Sequence, residues 1–252
     1  MSFARSVVER LSRNRILKRR LPADFDRLPI LVSPDSSLSF WRPRLKSNLF
    51  DFAREFVGPG SVVWDLGANV GLFTLAAAHR AGPSGRVVAV EPDPWLAELL
   101  RKSVAMQRKP CAPIQVIPAA VSQALGIASL NIARRGRASN FLAGTPGSPH
   151  AGGVRDTVQV VTITLDWLLE CGPPPAVVKI DVEGVEMDVL RGAKRMLTEV
   201  RPVILCEAFR ANRDRIPIFF AHHGYTLYNW DGQPRIKLER ARGNNLALPG
   251  EG

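Results

Sequence analysis

Three short stretches of the chain place carboxylates beside glycines at spacings that suit a charged ligand. The first reads Asp65-Leu66-Gly67-Ala68-Asn69-Val70-Gly71. Gly67 and Gly71 let the backbone turn tightly and approach a ligand, and the small Ala68 adds no obstruction. The dinucleotide fingerprint at such a turn is GxGxxG, opening a helix whose N-terminus holds a pyrophosphate. Here the spacing is Gly67-x-Asn69-x-Gly71, and Asp65 just before it would repel phosphates. A ligand with positive charge and no phosphate fits better. S-adenosylmethionine, with its ammonium and sulfonium groups, has that character. The plainer alternative is that Asp65 and Asn69 cap the next helix.

The second stretch, Val90-Glu91-Pro92-Asp93-Pro94, places an acid about 20 residues beyond the glycine turn, where a carboxylate can accept hydrogen bonds from both ribose hydroxyls. Glu91 suits that role in a nucleotide site or an adenosylmethionine site alike. Asp93 reads as an N-cap, with Pro94 at the first helical position. The third stretch, Val178-Lys179-Ile180-Asp181-Val182-Glu183-Gly184-Val185-Glu186, gathers three acids beside a glycine. On an extended chain Asp181 and Glu183 point to the same face, which makes either a candidate general base for a hydroxyl acceptor. Glu207 is a further candidate. Glu183 and Glu186 could instead simply favour the positive end of the following helix. No His or Asn stands where it would complete an octahedral site with these acids, so no metal is expected.

These stretches need elements to position them. From Ser61 onward short β-branched runs alternate with helical patterns, the mark of βαβ units and a parallel sheet. The pattern predicts strands over Val62–Leu66, Arg86–Val90, Ile114–Val121, Val177–Val182 and Pro202–Cys206, and helices near Gly71–Arg80, Pro94–Gln107 and Val185–Leu197. In an open parallel sheet ligands bind beyond the carboxyl ends of the strands, where all three stretches fall. Tyr225–Trp230 and Asn244–Leu248, around the turn signal Asp231-Gly232, predict a closing antiparallel pair. Arg134–Asp156 is rich in Gly, Pro, Ser and Arg and is flanked by strand-like runs, so a loop-rich insertion is expected near 128–164.

The 252 residues, 46% of them hydrophobic, suffice for one substantial core. The apolar runs are a few residues long, short of the roughly 20 needed to cross a bilayer, so a soluble chain is expected. Cys111, Cys171 and Cys206 form no CxxC pair and suggest neither a disulfide framework nor a zinc site, which fits a reducing cytoplasm. Much of the net charge of +11 comes from Arg5, Arg10, Arg13, Arg15, Lys18, Arg19 and Arg20. This segment reads as a solvated basic helix. Phe3, Val7 and Leu11 at helical spacing keep weak contact with an anionic membrane surface, or a transit peptide, as alternatives. The basic residues lack interleaved aromatics, so nucleic acid is not expected as a partner.

Taken together, the strings resemble the FkbM methyltransferase family. VVWDLGANVGLFTLA resembles its first motif, VVAVEPDP its second, and VVKIDVEGVEMDVLRGA followed by RPVILCE its most distinctive block. IPAAVS, TLDWLL, GYTLYNWDG and NNLALP are weaker similarities in the same order, so the resemblance runs from about Ser61 to Pro249. It implies an α/β class I methyltransferase: a Rossmann-like, doubly wound, mostly parallel seven-stranded sheet with an antiparallel closing strand. Residues 61–252 would form the methyltransferase domain, behind a basic helical extension over 1–60. The cofactor implied is S-adenosylmethionine, and the reaction O-methylation of a small-molecule or glycan hydroxyl. By the same resemblance Asp65, Gly67, Ala68, Asn69 and Gly71 line the methionine end, Glu91 with Pro92 the ribose, and Ala120 the adenine. Asp181 and Glu183 map onto the block bordering the methyl group. A non-catalytic adenosylmethionine-binding module, a basic adaptor and an NAD-dependent oxidoreductase are the competing readings.

Overall fold

The computed structural model describes residues 3–145, 147, 151–230 and 234–250. Two α-helices and two strands precede the first motif: α1 (Phe3–Ser12), β1 (Leu17–Arg20), β2 (Pro29–Val32) and α2 (Asn48–Phe56). The segment expected as a helical extension therefore also holds an antiparallel strand pair, β1 with β2, and a second helix. It is not an appendage: Phe25, Ile30, Phe50 and Phe52 from it are buried in one cluster with Val63, Phe73 and Ala77 of the domain behind it.

The alternating part follows the predicted order. β3 (Val62–Leu66), α3 (Leu72–Ala81), β4 (Arg86–Val90), α4 (Pro94–Ala105) and β5 (Ile114–Ile117) are followed by the short β6 (Ala120–Val121). Asp93 caps α4 as its position suggests, accepting from Trp95 N at 2.9 Å with Pro94 opening the helix. The third strand, expected to run unbroken to Val121, divides at Pro118, which has no N–H to give a ladder. Beyond it the chain leaves the main sheet, and Ala120 and Val121 pair with a different strand.

The insertion is more regular than its composition suggests. β7 (Gly126–Ala133), β8 (Phe141–Leu142) and β9 (Val154–Ile163) join β6 in a second sheet of order β6-β9-β7-β8. After it come α5 (Leu165–Glu170), β10 (Val177–Ile180), α6 (Glu186–Arg191), β11 (Val203–Glu207), α7 (Arg215–His222), β12 (Tyr225–Asn229) and β13 (Asn244–Pro249). β10 stops at Ile180, two residues before the predicted end, because the chain turns sharply at Glu183 (φ 30°) and Gly184 (φ 97°). The helix predicted to Leu197 is broken at Gly192, where a Cβ would stand 2.5 Å from Ser122 O. The Asp231-Gly232 turn signal lies outside the described residues.

The main sheet has the order β5-β4-β3-β10-β11-β13-β12, with β13 antiparallel to both neighbours and every other adjacent pair parallel. This is the doubly wound, seven-stranded α/β class I arrangement with its reversed closing strand. Because both faces are covered, β3, β4 and β10 read as apolar runs rather than alternating ones. Trp64, Val88 and Val178 pack into the cluster under α6 and α7, while Val63, Val87 and Val177 pack toward α2 and α3. Successive strands step outward from β3 in one direction and from β10 in the other, so the switch in strand order falls between these two, which is where such sheets bind ligands. Among the described residues no helix is long and apolar enough to cross a membrane.

Candidate active site

The loop after β3 and the turn after β10 meet at that switch point. Gly67 has φ +72°, and a Cβ there would stand 1.8 Å from Asp181 O, so only glycine allows the two segments to touch. Gly67 N and Ala68 N donate to Val90 O at 2.9 and 3.0 Å, and Asn69 N donates to Glu91 Oε2 at 2.7 Å. Asn69 adopts the left-handed conformation (φ 52°) that its side chain tolerates, and its Oδ1 accepts from Val70 N at 2.8 Å and from Ser36 Oγ at 2.5 Å. The loop is thus stitched to the end of β4 on one side and to the N-terminal segment on the other.

Two cavities open on this junction, one lined mainly by carboxyl groups and the other mainly by basic side chains. The smaller, of about 200 Å³, is lined by Glu91, Pro92, Ala120, Asp181, Glu183 and Glu207, among others. Among the described residues its lining cation is Arg137, which is spent on Asp93 Oδ2 at 2.6 Å and Asp35 Oδ2 at 3.1 Å. The larger, of about 570 Å³, lies between the glycine loop and the segment from Ser36 to Leu49; among the described residues Arg42, Arg44, Lys46 and Lys179 line it against a single acid, Asp181. Gly67, Asn69 and Asp181 belong to both cavities. Ala68 faces only the larger. Gly71 faces neither: its φ is +90°, and a Cβ would stand 2.3 Å from Leu100 Cδ1, so it serves the packing of α3 on α4.

Asp65, expected at the methionine end of a ligand, is instead enclosed beneath the loop with no exposed surface. Its carboxylate accepts from Thr74 Oγ1 at 2.5 Å and pairs with Lys179 Nζ at 3.1 Å. Lys179, which sequence reasoning passed over, is the centre of the arrangement. Its ammonium, buried, also lies 3.3 Å from Asp181 Oδ2 and donates to Gly67 O at 2.9 Å. Burial opposes that charge, but Asp65 and Asp181 outweigh it and hold the lysine protonated above its ordinary range.

The carboxyls around the smaller cavity are poised to take up a cation. Burial pushes Glu91 up to about 8, against the pull of the Asp93 and Asn69 backbone amides that donate to it. Burial and then the charge of Asp181 push Glu183 up to about 8 as well. Glu207 reaches solvent, and the charge of Asp181, more than burial, raises it to about 8. Glu186, behind them, is not free to join: its oxygens are held by Gly184 N and Asn212 Nδ2. A pyrophosphate would find no free cation in this set and would oppose ionisation of its carboxyls, whereas a sulfonium and an ammonium favour their ionised form. The donor set fits S-adenosylmethionine.

A family model for the FkbM methyltransferase domain matches residues 65–228. The chain belongs to the FkbM family of S-adenosylmethionine-dependent methyltransferases, and its cofactor is S-adenosylmethionine. Among curated proteins, a hexuronic acid methyltransferase of Haloferax volcanii is 32% identical over 146 residues, 57% of this chain and 54% of that protein. The match thus spans about half of that relative's length. Among solved structures, an FkbM methyltransferase from Methylobacillus flagellatus is 15% identical, with 79% of this chain and 50% of that one covered, at a TM-score of 0.48. Fibrillarin from Aeropyrum pernix, with natively bound S-adenosyl-L-methionine, is 14% identical, with 88% and 90% covered, at a TM-score of 0.47. The family match begins at Asp65, so most of the wall of the larger cavity lies outside it.

Proposed function

We propose that this FkbM protein methylates a hydroxyl oxygen of a sugar or glycan, with the donor in the acidic cavity and the acceptor in the basic one. The observation that carries this reading is the pair of adjoining cavities that share Asp181, one lined mainly by carboxyls and the other by basic side chains. The name of the Haloferax relative supports a sugar acceptor. Residues 61–252 then hold the donor site, and the segment before them closes the acceptor side. The three cysteines are all unpaired, which supports a reducing compartment such as the cytoplasm.

S-adenosylmethionine supplies an electrophilic methyl carbon on a sulfonium. The chain's own task is alignment of an in-line displacement, together with removal of one proton. Glu91 accepts from the ribose hydroxyls, Pro92 and Ala120 flank the nucleoside, and Gly67 and Asn69 bring backbone to the methionine end. Asp181, on the wall common to both cavities, takes the hydroxyl proton as the acceptor oxygen attacks. Glu183 and Glu207 stand beside it to carry that proton onward.

Calorimetry tests the donor assignment. S-adenosylmethionine and S-adenosylhomocysteine are expected to bind, and NAD is not. A positively charged guest favours the ionised form of carboxyls that otherwise titrate near 8, so its binding expels protons. Affinity for S-adenosylmethionine should therefore rise with pH up to about 8 and then level off. Equal affinity for NAD, or an affinity that falls as pH rises toward that value, would overturn the assignment.

Glu91→Ala is expected to weaken S-adenosylhomocysteine binding by roughly 1 to 3 kcal/mol, the usual effect of removing a hydrogen-bonded charged partner. It also strands Asn69 N and Asp93 N, so the unliganded melting temperature should fall with it. Melting and calorimetry on the same sample separate the two effects. A lowered melting temperature with unchanged affinity per folded molecule would make Glu91 an anchor of the loop only.

A further inference from the structure

The larger cavity carries charge that the donor does not explain. Arg42, Arg44 and Lys46 are exposed at its rim, and none has an acidic partner among the described residues. S-adenosylmethionine sets a sulfonium and an ammonium against one carboxylate, so it arrives with net positive charge. Three exposed cations without acidic partners, gathered on one cavity wall, make a local positive field that draws an anionic group to it. The rim is also held in place. Arg19 donates to Phe40 O and Arg42 O, both at 3.3 Å, Phe40 is buried, and Ser47 caps α2 by accepting from Leu49 N at 3.2 Å. Cations on a stretch pinned at both ends lose less freedom when they close on a ligand.

Resting on the methyl-transfer reading, we infer that Arg42, Arg44 and Lys46 form a subsite for an anionic substituent of the acceptor, a carboxylate or a phosphate on the sugar. The planar forks of two arginines match the oxygens of either group. The anion is held at the rim while the hydroxyl to be methylated faces Asp181, which lies on the same cavity wall. This assigns acceptor selection to a segment upstream of the matched family domain.

The test is calorimetry on the full chain saturated with S-adenosylhomocysteine, titrated with methyl glucuronide, glucose 6-phosphate and methyl glucoside. At least one acidic probe is expected to bind about tenfold or more tighter than the neutral glucoside. Which acidic probe it is separates carboxylate from phosphate. The triple variant R42Q/R44Q/K46Q should remove most of that preference and leave S-adenosylhomocysteine affinity within about twofold. The side chains are exposed, so the core is untouched, and single variants at each position, expected to lose about threefold, support the triple. In the unaltered protein the preference should shrink as salt is raised, a readout that needs no variant. Equal binding of acidic and neutral probes, or no binding of either acidic probe, overturns the inference. So does a parallel loss of S-adenosylhomocysteine affinity, which would give the cations to the donor's own carboxylate. If the unaltered protein does not bind S-adenosylhomocysteine at all, it is the methyl-transfer reading that fails.

Discussion

Asp181→Asn is expected to lower methyl transfer by about a hundredfold or more while affinity for S-adenosylmethionine changes little. The side chain is 34% exposed, lies where the two cavities meet, and is steered by Lys179 Nζ at 3.3 Å. Asparagine keeps the size and an oxygen for that lysine, but it cannot accept the hydroxyl proton. Asp181 is also the better fixed of the two candidates, since Asp181 N donates to Leu66 O at 3.1 Å, directly after β10. Glu183 sits in a left-handed turn, so Glu183→Gln should have the smaller effect. Single-turnover transfer of a labelled methyl group to a glycan extract, with calorimetry for the donor, measures both. Full activity in Asp181→Asn and Glu183→Gln together would exclude both as the base and leave Glu207 or alignment alone.

Lys179→Met should act on the whole molecule, lowering stability by about 3 to 5 kcal/mol. Methionine fills much of the lysine volume but leaves Asp65, which has no exposed surface, with Thr74 as its hydrogen-bond donor and no positive charge beside it. Gly67 O loses its donor at the same time, which loosens the loop that both cavities share. Adding Asp65→Asn to Lys179→Met should recover a large part of the loss, because the uncompensated charge is then gone. Urea unfolding of the two single variants and the double variant completes the cycle. A Lys179→Met protein as stable as its parent would mean that the buried pair supports nothing.

The sheet was legible because its strands are short apolar runs set at regular intervals, and β3 and β4 fall on their predicted residues. The glycine loop was legible from Gly67, Asn69 and Gly71 for a similar reason: local backbone demands leave local traces. Lys179 did leave a trace, a lone cation inside Val177-Val178-Lys179-Ile180 in a strand buried on both faces. What the chain order hides is its partner, since Asp65 meets it only through the register of two parallel strands, Lys179 opposite Asp65. The wall of the larger cavity was hidden more deeply. Asp35 accepts from Arg155, 120 positions away, and from Arg137, and these bonds tie the N-terminal segment to the insertion; nothing in local periodicity announces such a contact. The break of the third strand, by contrast, could be read at Pro118, a residue with no N–H to offer a neighbour.

The two cavities share the glycine loop and Asp181 but draw the rest of their walls largely from different stretches of the chain, and this has a bearing on how such a protein diversifies. The buried Asp65–Lys179 pair, Glu91 and the glycine loop depend on one another through the sheet, so loss of a charge or donor among them disturbs the rest. Arg42, Arg44 and Lys46 have exposed side chains on a surface stretch. Their replacement costs little stability, as is usual for exposed side chains away from special features. One half of the site is therefore held still by its own cohesion, while the other can drift by single substitutions. Under the proposed acceptor role, a lineage can change what it modifies without passing through a form that has lost the means to modify anything.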